Sequence, residues 1–350
     1  MDITFIVPCR GLAGGLRVVA CYGNALIRRG HRVTVVYPHQ ERPVRDRLQK
    51  KIRRVLFHER DHLDFFRGRL LELPTLTVEH IPDGDVLIVT AFTTAVMGAE
   101  LPERCGKKFY LIQGYEKVLA NEGEDCDATF RLPFQKIVIS TWLKTLVEEL
   151  SGEADIPLIP NGRDFFLSTI DGEGLDRQYD LGVVYSSVLL KRTDVALNAI
   201  ELLWERFPGL KVVMFGSQDP ELNKYPKFSF DRVTFLRAPS PEQVRRTYLD
   251  TKVWMTASGT EGFCLPALEA ISLGCPIVSS DNLGVNDIIT HGVEGYIVPV
   301  GDPQALADRV AELLDDPRKR LRMSAAGLCR SDDFSWERST ELLEQLLISG

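Results

Sequence analysis

The chain has 350 residues, 44% of them hydrophobic and 26% charged, ordinary globular values that exclude wholesale disorder. At roughly 150 residues per domain this length favours two domains, with a core that needs no disulfide or metal staple. The 42 basic and 49 acidic side chains leave a net charge of −7, which speaks against nucleic acid as a whole-chain partner.

Strand-like apolar runs alternate with helix-period stretches from the start. Strands are predicted over 3–7 and 32–37, with a helix over 18–29 between them that stops at Gly30. That is a βαβ unit and implies a parallel sheet with right-handed crossovers. Runs 86–89, 109–112 and 137–139 continue it, and 155–161, with two prolines and an Asn-Gly turn, punctuates the chain. A second series follows: strand 181–185, helix 194–206, strands 211–215 and 233–236, helix 241–249 and strand 253–256. Helix 266–273, strands 276–279 and 295–298, helix 303–314 and a helical tail complete two Rossmann-like halves. Ligands of such folds sit beyond the carboxyl ends of the parallel strands, and with two such domains the expected site is the cleft between them.

The 7 cysteines are scattered without a C-x-x-C pair, which reads as reduced intracellular thiols. The longest uncharged stretch, 86–99, falls short of the roughly 20 apolar residues a membrane helix requires. Asp2 stands where a signal peptide carries a cationic region. A cytoplasmic protein is expected.

Residues 256–303 carry the chemistry. A small-residue loop with Gly259 and Gly262 follows a strand and opens a helix at Pro266, whose fixed φ suits the first helical turn. Amides at that helix start carry a partial positive charge suited to a phosphate. Glu261 lies in the loop and Glu269 eight positions on in the helix, so two carboxylates could grip vicinal hydroxyls of two sugars. Alone, two glutamates at this spacing fit a surface loop and an exposed helical acid equally well. The ordered whole is more telling: Glu-Gly-Phe-x-Leu-Pro-x-Leu-Glu-Ala from 261, then Gly-Cys-Pro-Ile-Val, His-Gly-x-x-Gly-Tyr-x-Val-Pro and Gly-Asp-Pro.

That string resembles the signature of retaining glycosyltransferases of family 4, which have the GT-B fold. The resemblance extends to Ala13-Gly14-Gly15-Leu16, Arg29-Gly30-His31, Pro160-Asn161-Gly162-Arg163-Asp164, Lys191-Arg192-Thr193-Asp194 and Phe334-Ser335-Trp336. It implies an α/β chain of two Rossmann-like domains, their parallel sheets facing across a cleft. Residues 1–160 would form the acceptor-binding domain and 161–331 the nucleotide-sugar-binding domain, and helix 332–350 would return to the first. By the same resemblance Glu261 contacts donor-sugar hydroxyls and Glu269 the nucleotide ribose. Amides near Gly262, Phe263, Cys264 and Leu265 meet donor sugar or phosphate, Lys191 neutralises the diphosphate, and Gly14 and Gly15 present amides from the first domain. Arg237 and Ala238 stand where the base is usually read. No metal and no cofactor is implied beyond the nucleotide-sugar substrate, and the acceptor is a saccharide or a lipid-linked saccharide.

Two departures stand out. Tyr185 and Ser186 occupy the place of a family arginine, leaving Arg192 as the second cation. Gln113-Gly114-Tyr115-Glu116 replaces a histidine near the reacting carbon and is similar to a Gln-x-Tyr-Glu element of some bacterial polysaccharide transferases. Gln113 can orient a hydroxyl but carries no proton at neutral pH, whereas Glu116 can act as a base toward the acceptor. These departures motivate an alternative, a nucleotide-sugar-binding protein without catalysis.

Other motifs compete. His58-Glu59-x-x-His62 fits a zinc-protease pattern, with Glu79 as a third ligand. Its neighbourhood holds Arg42, Arg45, Arg47, Lys50, Lys51, Arg53 and Arg54, which reads as a solvated cationic face. The stretch 42–56 has apolar residues at near-helical intervals, so it fits either a core-packed helix or a peripheral contact with the anionic inner face of a membrane. Asp83-Gly84-Asp85 and Asp125-Cys126-Asp127 match the Asp-x-Asp of metal-dependent transferases of another fold, on three letters each.

Overall fold

The computed structural model describes residues 1–39, 61–117, 125–164 and 177–349. They divide into two compact units, Met1–Gly162 with Ser335–Gly350, and Arg163–Phe334.

The first unit is a six-stranded sheet of β1 (Asp2–Ile6), β2 (Arg32–Pro38), β3 (Arg69–Leu73), β4 (Val86–Val89), β5 (Lys107–Ile112) and β6 (Gln135–Val138). Every pair is parallel. All four residues of β4 are buried, as a continuous Val-Leu-Ile-Val run demands in a sheet covered on both faces. Helices α1 (Gly14–Arg28), α2 (Phe92–Ala99), α3 (Cys126–Thr129) and α4 (Thr141–Ser151) belong to this unit.

The second unit repeats the plan with β7 (Tyr179–Val184), β8 (Val212–Gly216), β9 (Val233–Arg237), β10 (Thr251–Thr256), β11 (Ile277–Ser280) and β12 (Gly295–Val298). Its helices are α5 (Thr193–Arg206), α6 (Pro241–Leu249), α7 (Leu265–Ser272), α8 (Pro303–Asp315) and α9 (Pro317–Ser331). The strand orders are β3-β2-β1-β4-β5-β6 and β12-β11-β10-β7-β8-β9, so each unit, counted from its own first strand, has the order 3-2-1-4-5-6 or its mirror listing. The order reverses between β1 and β4, and again between β7 and β10. At such a point successive crossovers leave for opposite faces, which opens a crevice at the carboxyl ends of the strands. Arg177 braces the other edge of the second sheet, donating to the carbonyls of Tyr248, Thr251, Leu273 and Gly274, where α6 and α7 run out of internal partners.

The final helix, α10 (Trp336–Ser349), packs on the first unit. Trp336 meets Tyr22 edge-on at 5.1 Å, the Ser339 hydroxyl donates to Pro160 O at 2.7 Å, and Glu344 accepts from Arg29 and His31 at 2.6 Å each. Among the described residues no helix is long and apolar enough to cross a membrane. The stretch 42–56 lies outside the described residues.

A Cβ on Gly162 would sit 2.3 Å from Trp336 N. Gly162→Ala should therefore push α10 off its seat and cost about 1–3 kcal/mol, read by urea unfolding.

Candidate functional site

β7 and β10 flank the reversal point of the second sheet, and the loops leaving their carboxyl ends meet. Lys191 ends the short helical turn Leu189–Lys191 after β7, and Glu261 lies in the loop after β10. Lys191 Nζ donates to Glu261 Oε1 at 2.6 Å, and Gly259 N donates to Leu190 O at 2.8 Å. Backbone and side chain thus tie the two loops together. The lysine side chain remains 35% exposed and the glutamate 13%, so the ammonium is open to an incoming anion while the carboxylate is largely enclosed.

The rest of the loop is clamped from β11. Asn282, fully buried, donates through Nδ2 to Ser279 Oγ at 3.1 Å and to Cys264 Sγ at 3.5 Å, and accepts from Val285 N at 3.0 Å. Its carbonyl accepts from Glu261 N at 2.9 Å. Gly284 lies so close that a Cβ would be 2.7 Å from Glu261 O. Gly262 sits within this clamped loop. Cys264, in a left-handed conformation, caps α7 ahead of Leu265 and Pro266, and burial pushes its thiol up to about 12, so it is inert as a nucleophile at neutral pH. Phe263 is buried and meets Phe334 edge-on at 5.8 Å.

Backbone strain concentrates at this edge. Of the five non-glycine residues at positive φ among those described, four follow strands of the second sheet: Arg192, Ala238, Cys264 and Leu283. Such conformations persist where the surrounding structure over-determines them, commonly at ligand sites.

Glu269 is buried in α7, and the Tyr248 hydroxyl donates to its Oε2 at 2.6 Å. The exposed acid that a bare Glu-x7-Glu spacing permits is not what the structure has. Arg237 ends β9 beside Asp219 at 3.3 Å, and Ala238 N donates to Gly216 O at 2.7 Å. Arg192 turns to Asp194 at 3.3 Å, with its guanidinium near Gly301, while Lys191 reaches Glu261. The two adjacent cations therefore have different acidic partners. Tyr185, in the place of the family arginine, is buried and its oxygen accepts from Glu221 N at 2.8 Å.

In the first unit, Gly14 and Gly15 open α1 at the carboxyl edge after β1. A Cβ on Gly15 would lie 3.2 Å from the Gln113 amide, which follows β5, so these residues adjoin. Glu116 Oε2 accepts from Phe92 N at 2.8 Å, capping α2 from outside its own sequence. Burial raises its carboxyl above the usual value, against the lowering effect of that amide.

The competing motifs take other roles. His62 Nε2 meets Leu12 O at 3.2 Å, and His58 and Glu59 lie outside the described residues. Asp83 pairs with Arg104, and Asp85 accepts from Asp2 N at 2.7 Å. Asp125 caps α3, and Asp127 accepts from Tyr115 and Lys117 at 2.7 Å each. Among the described residues no group of three or more His, Cys, Asp or Glu side chains is arranged to hold a metal.

Two measurements test this geometry. Asn282→Ala should cost about 1–3 kcal/mol of stability, because it leaves buried donors and acceptors unpaired. Because burial raises the Glu116 carboxyl above its ordinary value near 4.5, the folded chain binds this proton more tightly than the unfolded chain does. Native stability should then fall as pH rises from about 4.5 through the raised native value, and Glu116→Gln should remove that decline, read as urea stability from pH 4.5 to 8.

Residues 175–328 match the family model described as glycosyl transferases group 1. The D-inositol 3-phosphate glycosyltransferase of Corynebacterium urealyticum is 30% identical over 177 residues, 47% of this chain and 42% of that protein. The chain thus matches under half the length of this curated relative. Among solved structures, a point mutant of S. aureus TarM in complex with fondaparinux, α-GlcNAc-glycerol and UDP aligns at TM-score 0.78 and 11% identity, over 99% of this chain and 100% of that one. HepE of Anabaena in complex with UDP and glucose aligns at TM-score 0.76 and 16% identity, with both chains fully covered. The fold of two six-stranded parallel sheets is that of the GT-B glycosyltransferases. Within it, the stretch that matches the glycosyl transferases group 1 model, residues 175–328, holds every strand of the second sheet.

Proposed function

We propose that the chain is a retaining glycosyltransferase of family 4. It moves a hexosyl or deoxyhexosyl unit from a nucleoside diphosphate donor to a saccharide or lipid-linked acceptor, in polysaccharide or glycoconjugate biosynthesis. The observation that carries this reading is the Lys191–Glu261 pair at the reversal point of the second sheet, inside the segment that matches the group 1 model. The UDP present with HepE and TarM supports a nucleoside diphosphate as the ligand.

In this reading Glu261 accepts from donor-sugar hydroxyls, and Glu269, steadied by Tyr248, holds the ribose. Amides of Gly262, Phe263, Cys264 and Leu265 meet sugar or phosphate, while Arg237 and Ala238 border the base. Lys191 exchanges its carboxylate for the diphosphate and stabilises the leaving group as the glycosidic bond stretches, with Arg192 as a neighbouring cation. One well-placed donor of this kind is worth about 2.7–4 kcal/mol in the transition state. The acceptor hydroxyl attacks the anomeric carbon from the side the phosphate leaves, and the departing phosphate oxygen takes its proton. No metal is invoked, because cation and amides carry the developing charge. Gly14 and Gly15 are assigned to the donor, to which they present amides from the first unit, and Gln113 and Glu116 to the acceptor. For a lipid-linked acceptor, the basic stretch 42–56 would add attraction to the inner, anionic face of a membrane.

Lys191→Ala should lower kcat by about a hundredfold or more with a smaller change in donor Kd. Glu269→Gln should weaken donor binding about tenfold, read by thermal shift. Wild-type kinetics in both variants would refute the assignment. Tyr185 and Gln113, in the places of the family's arginine and histidine, favour one second reading, a binding protein without catalysis. Tight donor binding with neither hydrolysis nor transfer across a broad acceptor panel would select it.

A further inference from the structure

The chain enters the second unit between Gly162 and Arg163 and leaves it between Phe334 and Ser335. Within that unit the two passages are bonded to each other. Arg163 N donates to Phe334 O at 3.2 Å, and the Arg163 guanidinium reaches Ser331 Oγ at 2.8 Å and Asp332 at 2.6 Å. Phe334 is therefore a passage residue, yet its buried ring packs on the candidate site, meeting the Phe263 ring edge-on at 5.8 Å. Phe263 stands two positions after Glu261 in the loop that opens α7. Gly284 presses on its backbone, since a Cβ there would lie 2.8 Å from Phe263 N. Arg330 lies over the Phe334 ring at 5.2 Å while donating to the carbonyls of Asp287 and Ile288 at 2.7 and 3.1 Å. The Phe334 ring is thus held between the site loop and the end of α9, and its own carbonyl is the acceptor that ties the passages.

We propose that Phe334 is a coupling residue, through which a nucleoside diphosphate bound at the 261–265 loop suppresses local opening of the passages between the units. This rests on the reading of that loop as a nucleotide-sugar site and adds a conformational consequence of its occupancy. A ligand that fixes the loop backbone fixes Phe263. An immobile Phe263 leaves the Phe334 ring less freedom, and with it the carbonyl that Arg163 N must release when the passage opens. Coupling of this kind needs no change in mean structure, only a loss of freedom shared by two places.

The test is native-state hydrogen exchange of the full chain, which reads local opening amide by amide. Calorimetric titration with UDP, GDP, ADP and dTDP first selects the diphosphate that binds. At saturation it should slow exchange of the Arg163 amide at least about fivefold in wild type. In Phe334→Leu that slowing should fall to near one, while Kd moves less than about threefold. The Glu261 amide, bonded to Asn282 O at 2.9 Å, should be slowed in both proteins. Phe334→Tyr, which keeps the ring, should restore the slowing at Arg163, and if Phe334→Leu does not fold, Phe334→Met serves in its place. A merely packed ring would lower Tm in the leucine variant and leave the slowing at Arg163 intact. That result, or no slowing at Arg163 in wild type, would overturn the proposal while leaving the nucleotide site standing. Binding of none of the four diphosphates would overturn both together.

Discussion

The contact between Lys191 and Glu261 joins residues 70 positions apart, and it exists because β7 and β10 are neighbours with their crossovers sent to opposite faces. A pair with a third of its lysine exposed adds at most about 1 kcal/mol to stability, so folding alone does not account for its placement. Its consequence is electrostatic. In the proposed reading, the carboxylate that holds this cation is one that an incoming diphosphate would outcompete, because two phosphate charges attract the ammonium more strongly than one carboxylate does. The released carboxylate would then be available as an acceptor toward the donor sugar that the proposed function assigns to it.

The loops around this pair are built to keep their shape. Asn282 bonds to elements on both sides of it, Gly284 admits the Glu261 backbone, and four of the five described non-glycine positive-φ residues sit one after β7, one after β9, one after β10 and one after β11. Strain distributed in this way is a cost borne in the folded state whether or not ligand is present. For the proposed donor site it would leave little to reorganise on binding, which is how pre-organised sites gain affinity.

Much of this was legible in the residues. Apolar runs such as 86–89 and 295–298 mark strands because a sheet covered on both faces needs continuous hydrophobicity, and proline at 241 and 303 marks helix starts. β3 was not legible, since Arg-Leu-Leu-Glu-Leu is a half-exposed edge strand whose charges mask its alternation. α2, α3 and α4 also escaped notice; α2 is a short apolar helix continuous with the β4 run, and α3 is only four residues long. The loop with Glu261 and the lysine of the Lys-Arg-Thr-Asp stretch were marked by motif, but their contact was not. Asn282 and Tyr248 went unseen because each acts through a partner distant in sequence, 18 positions for Asn282 with Cys264 and 21 for Tyr248 with Glu269. Leu283 looked like an ordinary loop leucine, since side-chain chemistry does not disclose a positive φ.

The most direct test of the central claim is a crystal structure of the chain with its tightest-binding nucleoside diphosphate. The account predicts the diphosphate between the loops that follow β7 and β10, with Lys191 Nζ moved from Glu261 onto a phosphate oxygen. A diphosphate seated elsewhere, with the Lys191–Glu261 bond intact, would contradict it.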